Sequence, residues 1–205
     1  MHDAVIAPLE PLLTELEKFG REHDARETEH KRKMLNLDRE TAELVYLLLR
    51  IGHRKSLLEI GTSNGYSTIW LAAAAKANGG SVVSIDRNPE KHVMARENVG
   101  RANLTSYVTF VTADATEAVR SSAAVFDAVL FDADRVSAPA QLDLLENHLT
   151  PEALLLCDNV LSHPTEVAEY LDAVNRRNDW IGTTVPVGKG LHVAYRGMIL
   201  TGPRP

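Results

Sequence analysis

The sequence predicts an α/β fold, a mostly parallel sheet with helices on both faces, and three observations predict it. Short apolar runs of strand character alternate with longer stretches of helical period. The runs over 57–60 and 128–131 are nearly free of polar residues, as strands covered on both faces are. Most of them end in Gly or Asp, residues that turn a chain from a strand into the next helix.

Taken in order, a helix is expected from about 38 to 51, with Asp38 as its N-cap and Leu44, Leu47 and Leu48 on one side. A strand over 57–60 and a helix from about 66 to 77 follow. Gly79-Gly80 turns the chain into a strand over 82–85, and Pro89 opens a helix through 101. Next come a strand over 108–111, a short helix near 116–121, a strand over 128–131, a helix near 140–148 and a strand over 153–157. A helix over 165–178 leads to two last segments, 180–186 and 191–196. These pair as an antiparallel edge around Val187-Gly188-Lys189-Gly190. Seven strands result.

With 205 residues and 44% hydrophobic content, the chain buries a core as one domain over 1–205, with 1–33 as a helical, charged N-terminal segment. A net charge of −6 offers no basic footprint, which argues against nucleic acid and an anionic membrane surface and for a small-molecule partner. The single Cys157 forms no internal disulfide. Residues 1–16 carry Asp3, Glu10 and Glu15 and have no basic-then-apolar leader. No apolar run is long enough for a membrane span, so a soluble, cytoplasmic protein is expected. The doubly charged run 21–33 reads as a solvated helix end and loop. Within it, His23 and His30 lack the further His or Cys that a metal site needs.

The run Ser56-Leu57-Leu58-Glu59-Ile60-Gly61-Thr62-Ser63-Asn64-Gly65-Tyr66-Ser67 is a strand, a tight turn and a helix start. Its glycines allow close backbone approach, and the helix opening aims unpaired N–H groups at the turn. Gly61, Asp86, Asp114, Asp132 with Asp134, and Asp158-Asn159 each follow a predicted strand. In an open α/β sheet ligands bind at the carboxyl ends of the strands, so these residues converge. Asp86 stands where a carboxylate accepts both ribose hydroxyls, or else it caps the next helix. The turn lacks the three-glycine dinucleotide pattern, which leans away from a nicotinamide cofactor. Asp132, Asp158 and Asn159 offer two carboxylates and an amide oxygen, a hard set suited to Mg²⁺, or they are turn residues that cap helices.

The runs Leu58 to Ser67, Ser84-Ile85-Asp86, Phe126 to Asp134 and Cys157-Asp158-Asn159-Val160-Leu161 together resemble the cation-dependent O-methyltransferases that use S-adenosylmethionine, the group of catechol and caffeoyl-coenzyme A O-methyltransferases. The resemblance runs from about Met34 to Arg196 and implies a Rossmann-like class I methyltransferase fold. It implies that Glu59, Gly61, Thr62 and Ser67 line the methionine end of the cofactor and that Asp86 holds the ribose. Asp114 and Ala115 would flank the adenine, Asp134 would lie near the cofactor's amino group, and Leu37 would offer a backbone contact. Asp132, Asp158 and Asn159 match the metal ligands for Mg²⁺, or for Mn²⁺ or Ca²⁺. Asp132 and Arg135 are the catalytic candidates, the acceptor is a catechol-like phenol, and relatives suggest a homodimer.

Two positions depart from the family pattern. Arg135 stands where many relatives have a lysine proposed as base, and arginine stays protonated, so it stabilises an oxyanion by charge instead. Either the metal alone ionises the acceptor, or His163 takes the proton, or activity is weak. Lys189 stands where an acidic residue is more usual. Arg26, His30 and Lys33 are weaker candidates for acceptor contact. The alternatives to a methyltransferase are a protein that binds S-adenosylmethionine with lost catalysis, or a nicotinamide-dependent oxidoreductase.

Overall fold

The structure, a computed structural model, describes residues 3–197. One seven-stranded sheet organises it, with β1 (Ser56–Ile60), β2 (Ser81–Asp86), β3 (Val108–Thr112), β4 (Phe126–Phe131), β5 (Leu149–Cys157), β6 (Trp180–Val185) and β7 (Leu191–Arg196) in spatial order β3-β2-β1-β4-β5-β7-β6. β1 to β5 run parallel, and β7 alone is reversed, antiparallel to both β5 and β6. The strand order reverses direction between β1 and β4, which opens a crevice at their carboxyl ends.

Alternate residues of each central strand face opposite layers, so Leu57, Ala128, Leu130, Leu154 and Leu156 join one core and Leu58, Ile60, Val129, Leu155 and Cys157 the other. The first core is closed by α1 (Glu10–Arg26), α2 (Arg39–Ile51), α3 (Tyr66–Asn78) and the buried side of α4 (Pro89–Arg101). The second is closed by α5 (Ala115–Ser121), α6 (Ala138–Leu145) and α7 (Pro164–Asn175). α3 is buried from Tyr66 to Ala75, and its run of alanines lets it lie close against the sheet and α2.

α1 stops at Arg26 ahead of a loop, so the charged run 21–33 is the helix end and loop expected of it, and Leu13, Leu16 and Gly20 give the helix a buried stripe among the charges. It is tied down where Arg39 pairs with Glu10 at 2.9 Å and Glu17 at 2.8 Å, and where the Tyr66 hydroxyl donates to Glu17 at 2.8 Å. Several elements differ from expectation for visible reasons. β5 starts at Leu149 instead of 153, since Phe126 pairs with Leu149 and the register then slips past exposed Pro151 and Glu152. α6 begins and ends earlier than expected, flanked by 3₁₀ turns Arg135–Ser137 and Glu146–His148. Asp38 sits at the start of α2 without a side-chain capping bond.

Candidate active site

Gly61 leaves β1 at φ +109°, and a Cβ there would stand 2.3 Å from the carbonyl oxygen of Asp132. The exits of β1 and β4 therefore touch, and only glycine permits it. The turn is stitched by Gly61 N–H to the Ile85 carbonyl and Asp132 N–H to the Ile60 carbonyl, both 2.9 Å. Gly65, in the left-handed region at φ +85°, opens α3. Asp86 accepts the N–H groups of Ser63 and Asn88, each at 2.9 Å. The cap of α4 is Asn88, which accepts from Glu90 N–H at 2.9 Å. Asp86 is therefore not the cap of α4, and it lines the crevice.

Beneath the turn lies a closed polar network. Glu59 is fully buried and accepts from Ser67 Oγ at 2.6 Å and from the hydroxyls of Thr68 and Ser84. Thr62 Oγ1 bonds Ser84 Oγ at 2.5 Å and His92 Nε2 at 3.1 Å. Burial pushes the Glu59 carboxyl up to about 7 against the hydroxyl donors, and it lowers His92. Glu59, Thr62, Ser67 and Leu37 are all buried, and none of them lines the crevice.

The crevice itself is lined by Gly61, Asp86, Asp114, Ala115 and Asp134 of the expected set. Asp114 also caps α5, accepting from Thr116 N–H at 3.0 Å, and Asp134 accepts from Val136 N–H at 3.1 Å and Ser137 Oγ at 2.7 Å. Arg87, Ala113, Ser137 and Gln141 are further wall residues that the sequence did not single out. Gln141 is 4% exposed, and its Oε1 has no hydrogen-bond partner. A lone glutamine inside a helix carries no local signal of this.

Next to the crevice, Asp132, Asp158 and Asn159 share one rim. Asp158 N–H donates to the Phe131 carbonyl at 3.2 Å, which sets the end of β5 beside that of β4. Asn159 adopts φ +67°, and its Nδ2 donates to Asp158 Oδ2 at 2.8 Å. Asp158 Oδ1 is buried without a partner. Burial raises Asp158 to about 6, and burial followed by repulsion from Asp158 and Glu59 raises Asp132 well above the carboxylate range. Two crowded carboxyls and an orphaned oxygen suit a bound cation. No group of three His, Cys, Asp or Glu side chains forms a metal site among the described residues, so the candidate set depends on the Asn159 amide.

Cations border this rim. Arg135 Nη1 donates to Asn159 Oδ1 at 3.1 Å, while its Nε and Nη2 hold Glu166 at 3.0 and 2.9 Å. Lys189 lowers both rim carboxyls by its charge and lies 3.9 Å from Asp38. The β6–β7 hairpin that carries it is bound to the loop after β5: Val160 N–H donates to Gly190, and Leu161 and Ser162 N–H donate to Lys189, at 3.0–3.1 Å. His163 is half-buried at the start of α7, bonded to Ser162 Oγ at 2.9 Å.

The N-terminal segment closes over the turn. Asp24 accepts Met34 N–H at 2.6 Å and Leu35 N–H at 2.8 Å, while the Met34 carbonyl takes Ser63 Oγ at 2.6 Å. Lys91, lowered by burial, donates to the Lys33 carbonyl at 2.7 Å. Arg26 and His30 are exposed in this segment.

Comparison with known proteins places this geometry. The chain is 32% identical over 123 residues to a catechol O-methyltransferase of Niastella koreensis, covering 58% of this chain and 55% of that protein. It is 34% identical over 120 residues to a catechol O-methyltransferase of Mycobacterium tuberculosis, covering 58% and 54%. The aligned part thus spans about half the length of these curated relatives. The crystal structure of an O-methyltransferase from Bacillus cereus in complex with SAH superposes with a TM-score of 0.77 at 23% identity, over 91% of this chain and 90% of that one. That likeness carries the fold. Residues 58–160 match the family described as a methyltransferase domain. Since that stretch is just over half of the chain and runs from the strand before the glycine turn past Asn159, the chain belongs to the methyltransferase domain family.

Proposed function

We propose that the protein is an O-methyltransferase that moves the methyl group of S-adenosylmethionine to a hydroxyl of a catechol-like small molecule, with a divalent ion held by Asp132, Asp158 and Asn159. The observation that carries this reading is the adjacency of crevice and rim: Gly61 lies against the Asp132 backbone, so a ligand over the glycine turn reaches the carboxylates. The curated relatives, named as catechol O-methyltransferases, support the acceptor class.

This chain's residues divide the work. Asp86 offers its carboxylate to the ribose hydroxyls, and Asp114, Ala115 and Ile85 wall the base. The backbone of Gly61 approaches the methionine portion, with Glu59, Thr62 and Ser67 holding the turn rigid from below. Asp132, Asp158 and Asn159 would supply two carboxylates and an amide oxygen to the ion. A divalent ion bound there would lower the pKa of a chelated hydroxyl and fix its position. Arg135 and Lys189 add permanent positive charge where the oxyanion develops. In the transfer the S–CH₃ bond breaks and an O–CH₃ bond forms, the sulfur keeps the electron pair, and the hydroxyl proton passes to water.

Calorimetric titration with S-adenosylhomocysteine and with NAD tests the cofactor: the first binds and the second does not. Incubation of S-adenosylmethionine and catechol with Mg²⁺ yields the monomethyl ether, and EDTA abolishes it. Binding without turnover under any divalent ion would favour a cofactor-binding protein that has lost catalysis. Turnover insensitive to EDTA would remove the ion from the reading.

A further inference from the structure

We propose that Arg135, anchored by Glu166, is a resident cation that occupies the amide oxygen of Asn159 and so sets how weakly the rim holds a divalent ion. The inference rests on the metal assignment made above and deepens it. Three contacts define the device. Arg135 Nη1 donates to Asn159 Oδ1 at 3.1 Å, and its Nε and Nη2 grip one oxygen of Glu166 at 3.0 and 2.9 Å.

The amide has no freedom to escape this arrangement by turning over. Its Nδ2 donates to Asp158 Oδ2 at 2.8 Å, so Oδ1 faces the guanidinium, the only orientation that satisfies both neighbours. An ion that takes Asn159 Oδ1 as a ligand must either displace the N–H donor or share the oxygen with it through the second lone pair, and either way it shares the rim with a permanent charge. Arginine does not deprotonate to yield its place. The anchor is asymmetric in a useful way: the Arg135 side chain is 17% exposed and its partner Glu166 45% exposed. The guanidinium is the less exposed partner, and among the described residues it bonds Glu166 and Asn159 but neither Asp132 nor Asp158. Lys189 acts on the same carboxylates by charge alone, without touching Asn159 among the described contacts.

Occupancy and charge make different predictions. Mn²⁺ is titrated into the cofactor-free protein and the free ion is followed by electron paramagnetic resonance, at low and high ionic strength. Arg135→Gln binds Mn²⁺ about tenfold tighter than wild type at both, a shift of about 1.4 kcal/mol. Arg135→Lys keeps the charge but has no planar fork to span Glu166 and Asn159, and it also binds tighter than wild type. Lys189→Met tightens binding at low salt only, since screening removes a pure charge effect. Thermal melts without metal verify that each variant is folded. An Arg135→Gln variant with wild-type affinity overturns the proposal, as does an Arg135→Lys variant with wild-type affinity, which would leave charge as the sole cause. Absence of saturable Mn²⁺ binding in wild type and in every variant would instead remove the metal from the rim, and the cofactor half of the functional reading would stand.

Discussion

Glu59 shows how depth sets a residue's chemistry. Its carboxyl keeps its proton up to about 7 in the folded protein, where the unfolded chain releases it near 4.5. Between those values the native state binds more protons, so the contribution is fully present below the unfolded value and is lost as pH rises through about 7. Complete loss is on the order of 3 kcal/mol. Raised Asp158 adds to the same slope, so the test is a difference: melting temperature falls less between about pH 5 and about pH 8 in Glu59→Gln than in wild type. Gln141 invites the opposite kind of test. Its buried Oε1 has no protein partner, the residue lines the crevice wall, and on the proposed function it would accept from an amino group of the bound base. Gln141→Met raises the Kd for S-adenosylhomocysteine about tenfold, the worth of one good hydrogen bond to a buried group, while leaving the unliganded melting temperature unchanged or higher. The sequence marked Glu59 and not Gln141. A carboxylate after an apolar run is a local signal, whereas a glutamine in a helix becomes a site residue only through what folds against it.

At the scale of elements, the parallel strands and their exits were legible because both depend on near neighbours in the chain: an apolar run, then Gly or Asp. The seven-strand count, the reversed last strand and α3 and α4 followed from the same signals. What escaped was tertiary. The slip in β5 answers to its pairing with Phe126, and α1 owes its docking to Arg39 and Tyr66, residues far along the chain. The glycine turn combines both kinds of constraint. Gly61→Ala forces a side chain into the left-handed region and against the Asp132 carbonyl. Backbone strain of that kind costs about 1–3 kcal/mol before any clash is counted. Chemical denaturation is expected to show at least that loss, and S-adenosylhomocysteine binding is expected to fall with it, since the β1 and β4 exits are pushed apart.

Over the whole molecule, the two ends of the sheet divide stability from chemistry. At the end away from the crevice Arg177 pairs with Asp143 and Glu146, and Arg196 pairs with Glu146 and Asp179 at 2.8 Å each. The network joins α6, the start of β5, the loop before β6 and the end of β7. Partly exposed pairs are worth little singly, so Arg196→Met is expected to cost about 1 kcal/mol, to cost less in high salt, and to leave S-adenosylhomocysteine affinity unchanged. Changes at the other end move ligand affinity first. There the β6–β7 hairpin lends its carbonyls to the segment after Asn159, and Gly188 fits against Asp38 and Thr41 with no room for a side chain. A connection at the margin of the architecture therefore forms one boundary of the space beside the oxygen trio. Inserting or deleting a residue in it would change the shape of that space while the strands beneath keep their places.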